Sequence, residues 1–177
     1  LGIEPQNSGG KGVSWIPSPT GEEIVSTNPS TGEVLARVRG VSDAEYDRIV
    51  AEAAEVFKRW RAVPAPKRGE ILYKVGQMLV ERKEQLAREM TEEMGKVLAE
   101  ARMEVQSAAD IIEWFAEEGR RAYGRIIPAR ADGVRNMVIL EPVGPVAGFA
   151  PWNFPVTQAV RKISAALAAG CSIIVKC

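Results

Sequence analysis

The spacing of apolar residues divides the chain into four stretches. Residues 13–38 alternate enough for short strands, and Asn28-Pro29-Ser30-Thr31-Gly32 supplies a turn between Ile24-Val25 and Val34-Leu35. A helical period follows. Ser42-Asp43-Ala44-Glu45 is a capping box, in which the Ser42 hydroxyl accepts from the Glu45 amide while Glu45 reaches back. Ile49, Val50, Ala53, Val56, Phe57 and Trp60 then recur on one side of a helix. Pro64 and Pro66 end it and start a second, whose stripe is Ile71, Leu72, Val75, Met78 and Leu79, prolonged by Leu86, Met90 and Met94. Gly95 is a break. A third helix over about 98–123 carries Ala101, Val105, Ala108, Ile112 and Phe115 on one side.

From Gly124 the period shortens. Arg125-Ile126-Ile127-Pro128 and Asn136-Met137-Val138-Ile139-Leu140 read as a hairpin joined by the polar loop 129–135. Its outer edge is a pairing hazard unless another chain covers it or the hairpin packs on its own chain. The last stretch reads as a βαβ unit: a short strand over 145–150, a stiff loop over 151–155, a helix over 157–169 with Val160, Ile163 and Leu167 on one side, Gly170 as its stop, and a strand over 172–176. A continuous apolar strand such as Ile173-Ile174-Val175 belongs inside a parallel sheet, so a chain that stops one residue after it suggests truncation.

Ligands of such sheets bind beyond the carboxyl ends of the strands. Asn153 and Lys176 both fall there. Asn153 can donate to a developing oxyanion, or it satisfies backbone groups in its own loop. Lys176 can reach ribose hydroxyls or a phosphate, or it emerges into solvent. Arg161 can hold a carboxylate, or it lies on a solvated helix face. Trp152 shields a ligand or fills the core. There is no Gly-rich phosphate loop of either common type.

Composition narrows the chemistry. The 177 residues contain no histidine, which removes histidine bases, histidine metal ligands and every triad built on them. Two cysteines, Cys171 and Cys177, are too few for a disulfide framework and favour a reducing cytoplasm. The 23 basic and 23 acidic residues balance, so net charge gives no reason to expect nucleic-acid or membrane binding. The balance is uneven along the chain, however. Beyond Glu141 the only charged residues are Arg161, Lys162 and Lys176. That segment is either a buried sheet layer or an anion-accepting end.

Several of these segments together resemble the aldehyde dehydrogenase superfamily. They are Glu141-Pro142-Val143-Gly144-Pro145-Val146-Ala147-Gly148-Phe149-Ala150-Pro151-Trp152-Asn153-Phe154-Pro155 and the run from Ala165 through Gly170-Cys171-Ser172 to Lys176, with the Asn28–Val34 turn and Glu93-Met94-Gly95-Lys96. The resemblance covers nearly the whole chain. It implies an α/β fold: an incomplete Rossmann-like cofactor domain with an N-terminal helical layer (1–124), an oligomerisation hairpin (125–141) and a first βαβ unit (142–177). It implies NAD or NADP as cofactor, with Phe149, Ala150, Pro151, Trp152, Asn153 and Lys176 in its groove. Asn153 becomes the oxyanion-hole amide. Arg161 resembles the substrate-carboxylate arginine of the succinate-semialdehyde branch, and Phe154 lies beside the substrate.

The resemblance is mixed at the level of subfamily. Residues 1 to about 75 look closer to the α-aminoadipic semialdehyde branch, and residues from Trp114 onward to the succinate-semialdehyde branch. Cys177 stands where a proline usually follows the lysine. The family's cysteine nucleophile and glutamate base lie far downstream of that lysine, so neither Cys171 nor Cys177 is the nucleophile and the chain alone is expected to be inactive. The complete protein is expected to act on a small aldehyde as a cytoplasmic dimer or tetramer. The rival expectation is a non-catalytic module that oligomerises or binds a partner.

Overall fold

A computed structural model describes residues 3–177. The fold is α/β, with helices α1 (Asp43–Trp60), α2 (Ala65–Glu81), α3 (Lys83–Met94), α4 (Leu98–Glu118) and α5 (Pro155–Ala169). Three small sheets accompany them. Strands β2 (Glu23–Thr27) and β3 (Val34–Arg39) are antiparallel across the foreseen turn, where the Asn28 amide donates to the Glu33 carbonyl at 2.8 Å. Strand β1 (Gln6–Ser8) adds to β3 in parallel. Strand β1 has no signature in the hydrophobic pattern, because three polar residues carry no apolar alternation.

The capping box of α1 forms with both arms. The Glu45 carboxylate accepts from the Ser42 amide at 2.8 Å and from the Thr20 amide at 3.1 Å. Those two backbone donors hold its pKa down from 4.5 to about 2. A carboxyl lowered by folding stabilises the fold fully above its unfolded pKa and loses that effect as pH falls toward the folded value.

Helices α2, α3 and α5 pack on α4, which is the centre of the helical layer. The interior face of α2 is Gly69, Leu72, Gly76 and, partly buried, Leu79. Ile71, Val75 and Met78, expected inside, are 45%, 41% and 48% exposed. The hydrophobic pattern holds at Leu72 and Leu79 and fails at Ile71, Val75 and Met78, because glycines do not register in it. Yet a Cβ at Gly69 would stand 2.6 Å from the Ala116 carbonyl oxygen, and one at Gly76 2.8 Å from Ile112 Cγ2. These glycines let α4 come close. Leu72, Ile112, Ala116 and Ala168 form one core. Ala87, Met90, Ala101 and Val105 form another, joined by Val156.

Leu86, Met90 and Met94 do not prolong α2, since the chain breaks at Arg82 and they lie on a separate α3. Helix α3 ends at Gly95, whose φ of +75° is left-handed. Helix α4 stops at Glu118 and passes into a 3₁₀ turn, Gly119–Arg121, short of the expected end near 123. Val50 of α1 is 39% exposed, and Ile49 is the buried member of that stripe.

Strands β4 (Arg125–Ile127) and β5 (Asn136–Val138) form the antiparallel hairpin in register Ile126 with Met137. Among the described residues neither strand pairs with anything else, and Ile126, Met137, Ile139 and Leu140 are exposed. Of the two alternatives for the hairpin, cover by another chain or packing on its own, the exposed apolar residues leave the first open. The last unit is as foreseen: β6 (Val146–Phe149) and β7 (Ile173–Lys176) run parallel, connected through α5, with Phe149 opposite Lys176. Gly170, with φ of +96°, ends α5, and Cys171 N–H returns to the Ala166 carbonyl at 2.9 Å. Among the described residues no helix is long and apolar enough to cross a membrane.

Two outcomes follow for stability. Leu72→Ala removes a fully buried side chain and should cost about 2–5 kcal/mol, whereas Ile71→Ala next to it should cost less than about 1 kcal/mol. Denaturant midpoints compare them, and equal losses would place the stripe where the hydrophobic pattern put it. Glu45→Gln should lower the melting temperature at pH 7. That gap should shrink as pH is lowered from 4.5 to about 2; a gap constant with pH would refute the Glu45 cap.

Candidate active site

The loop 150–154 connects β6 to α5 and emerges at the carboxyl ends of β6 and β7. Pro151 and Pro155 stiffen both sides of it, and Pro155 also opens α5 at a position where no amide donor is needed. All sequence-selected site residues lie on this loop or on the elements that flank it.

The Asn153 side chain is exposed and makes no hydrogen bond among the described residues. It does not satisfy its own loop, so its amide is free to donate outward. Trp152 is 81% exposed and does not fill the core. Phe149 is 67% exposed at the end of β6. Opposite it, the exposed Lys176 donates from Nζ to the neighbouring Cys177 carbonyl at 3.0 Å.

Two clefts flank the loop. One, of about 470 Å³, is lined by Ala150, Pro151, Trp152, Met90, Met94 and Cys177. Glu89 and Glu93 line it as well, while Met90, Met94 and the exposed indole offer apolar surface that suits a flat aromatic ring. The other, of about 580 Å³, lies along α4 and α5 and is lined by Met103, Ile111, Phe154, Gln158, Arg161 and Glu100. The Arg161 guanidinium is exposed there and has no hydrogen bond or ion pair among the described residues. Its donors are thus free in a cleft whose walls mix Met103, Ile111 and Phe154 with polar side chains, the carboxylates of Glu100 and Glu104 included. The structure brings Phe154 and Arg161 into one cleft and Ala150 to Trp152 into the other, and Asn153, on the loop between them, lines neither. Phe149 and Lys176 stay at the strand ends, outside both of these linings.

Two residues that sequence reasoning passed over hold this loop. Glu104 of α4 is buried, its side chain 1% exposed. One carboxylate oxygen accepts from the Val156 and Thr157 amides at 3.0 and 3.1 Å, at the first turn of α5. The other accepts from the Lys96 ammonium. Lys96 Nζ also donates to the Asn153 carbonyl at 3.0 Å and lies 3.8 Å from the centre of the Phe154 ring. The Thr157 hydroxyl donates to the Glu104 carbonyl at 3.1 Å. A carboxylate at a helix N-terminus satisfies amides that have no partner within the helix and meets the positive end of its dipole. The signal was present, since Glu104 falls inside the apolar stripe of Ala101, Val105, Ala108 and Ile112. A charge in such a stripe must be paired.

The far end of α5 is also held. Arg68 Nε donates to the Ala168 carbonyl at 3.1 Å and Trp60 Nε1 to the Leu167 carbonyl at 3.0 Å. These cover carbonyls that the helix leaves open at its C-terminus. Burial lowers the Arg68 pKa below the usual guanidinium value. Ser172 Oγ fixes the start of β7 to the Ala53 carbonyl at 2.8 Å.

Comparison with known proteins matches residues 15–177 to the model of the "Aldehyde dehydrogenase family". The chain is 46% identical to 4-(hydroxymethyl)benzenesulfonate dehydrogenase TsaD1 of Comamonas testosteroni, over 93% of this chain and 35% of that protein. It is 42% identical to succinate-semialdehyde dehydrogenase [NADP(+)] GabD of Escherichia coli strain K12, over 92% of this chain and 34% of that one. Among solved structures it is similar to aldehyde dehydrogenase 21 of Physcomitrella patens, a complex with the reaction product succinate. The TM-score there is 0.90 at 31% identity, covering 98% of this chain and 37% of the other. The chain thus spans about a third of the length of the relatives it matches. With a family match over 163 residues and a shared fold, this chain belongs to the aldehyde dehydrogenase family.

Proposed function

We propose that this chain supplies part of the cofactor domain, the oxyanion donor and a substrate-binding arginine of an NAD(P)-dependent aldehyde dehydrogenase. Its substrate is an aldehyde with a terminal carboxylate, such as succinate semialdehyde, which is oxidised to the acid. One observation carries the reading: an unpaired Arg161 stands in the same cleft as Phe154, the residue after the free Asn153 amide. A free guanidinium beside the apolar surface of Met103, Ile111 and Phe154 suits a short carbon chain ending in an anion. The names of GabD and of the succinate complex agree with this.

The residues also fit a dinucleotide. The cleft beside Trp152 suits a flat ring, and the exposed ammonium of Lys176 at the end of β7 suits ribose hydroxyls or phosphate. When bound, the nicotinamide accepts the hydride that leaves the substrate carbon. Asn153 donates from its side-chain amide to the aldehyde oxygen, where negative charge gathers as a nucleophile adds to the carbonyl carbon. Arg161 orients the substrate by its other end. By the family resemblance the nucleophile and base lie downstream, so residues 1–177 alone do not turn over. The exposed apolar hairpin, β4 with β5, supports contact with another copy of the protein, and it also favours the second reading, an oligomerisation module.

In the full-length protein, Asn153→Ala should lower kcat by about 10²-fold or more. A near-normal kcat would reject the oxyanion role. Arg161→Ala should raise KM about tenfold or more for an aldehyde that ends in a carboxylate, with little change for an uncharged aldehyde of equal length. Steady-state kinetics on the two substrates decide, and equal changes would reject carboxylate binding.

A further inference from the structure

Asn153 poses a problem of precision. Its side chain has no hydrogen bond among the described residues, so nothing there holds the amide directly. An oxyanion donor works by being aimed in advance, and among the described residues what restrains it acts through the backbone that carries it. That backbone is gripped on both sides by one buried ion pair. The Asn153 carbonyl accepts from Lys96 Nζ at 3.0 Å, and the ring of the next residue, Phe154, lies against the same ammonium. The amides of Val156 and Thr157 donate to Glu104. Lys96 and Glu104 bond to each other with side chains 8% and 1% exposed. Lys96 follows the left-handed Gly95 and Glu104 lies on α4, so the grip ties the loop to the most buried helix of the fold.

We propose that Lys96 and Glu104 are positioning residues for the Asn153 amide, setting turnover through the loop backbone without touching substrate. This rests on the oxyanion role proposed above. Lys96 restrains residues 153 and 154, and Glu104 restrains residues 156 and 157 while fixing the direction of the ammonium. Loss of either bond lets the amide swing by a fraction of its own length. Binding of the dinucleotide beside Trp152 does not depend on that direction, whereas stabilisation of the developing charge does.

The test is a double-mutant cycle on the full-length protein with an uncharged aldehyde, so that Arg161 plays no part. Lys96→Met keeps the chain length and removes the ammonium. Glu104→Gln keeps an acceptor for the two amides and removes the ion pair. On native Asn153 each should lower kcat about 10- to 100-fold, with the KM for dinucleotide little changed. On an Asn153→Ala background each should cost less than about threefold, because the group being aimed is gone. Factors that multiply in both backgrounds would overturn the positioning role alone. A native rate for Asn153→Ala would overturn the oxyanion reading and this inference with it. Backbone amide exchange gives a readout free of turnover: residues 152–154 should exchange faster in Lys96→Met than in the native protein, and unchanged protection would also overturn the proposal.

Discussion

A single carboxylate holds the parts of this structure in register. Glu104 is an acid in the interior of α4, and an unpaired charge there would not be tolerated. It is accommodated because both oxygens are used, one by the first amides of α5 and the other by Lys96. Losing one partner of a buried pair typically costs about 3–5 kcal/mol, so the arrangement is strongly directional even if its net contribution is small. What it supplies is placement. The start of α5, and the loop that leads into it, can take only one position against α4.

The rest of the βαβ unit follows from that placement. Arg68 and Trp60 meet the carbonyls at the other end of α5, so the helix is fixed at both termini by residues of α1, α2 and α4. Ser172 then ties the start of β7 to α1. With the helix located, the carboxyl ends of β6 and β7 lie side by side, and the loop 150–154 rises between two clefts of different character. One offers apolar surface beside an indole; the other holds a free guanidinium. The proposed cofactor and substrate differ in chemistry, and the loop lies between the two clefts proposed for them.

Much of this was legible in the sequence. The βαβ unit, the Asn28–Gly32 turn, the capping box and the left-handed stops at Gly95 and Gly170 all depend on local chemistry, and all form. The resemblance pointed to Asn153 and Arg161, and both side chains are without a hydrogen bond among the described residues. The errors came from packing. Hydrophobic spacing chose Ile71, Val75 and Met78 for the interior of α2, but the contact with α4 is made through Gly69 and Gly76, which no hydrophobic scale counts. It also joined α3 to α2, since a break at Arg82 has no proline or glycine to announce it. Glu104 was visible as a charge in an apolar stripe, yet its partners lie 8 residues before it and more than 50 after it. No local pattern connects them.

In the proposed complex the Asn153 amide, held by Glu104 and Lys96, faces the aldehyde oxygen while Arg161 holds the other end of the substrate. The most direct measurement is a crystal structure of the full-length protein with its dinucleotide and a carboxylate-bearing aldehyde or the acid formed from it. The account predicts a reacting-end oxygen about 3 Å from Asn153 Nδ2, the distal carboxylate paired with Arg161, and the Lys96–Glu104 contacts unchanged. A substrate bound with its carbonyl turned away from Asn153, or with its carboxylate far from Arg161, would contradict it.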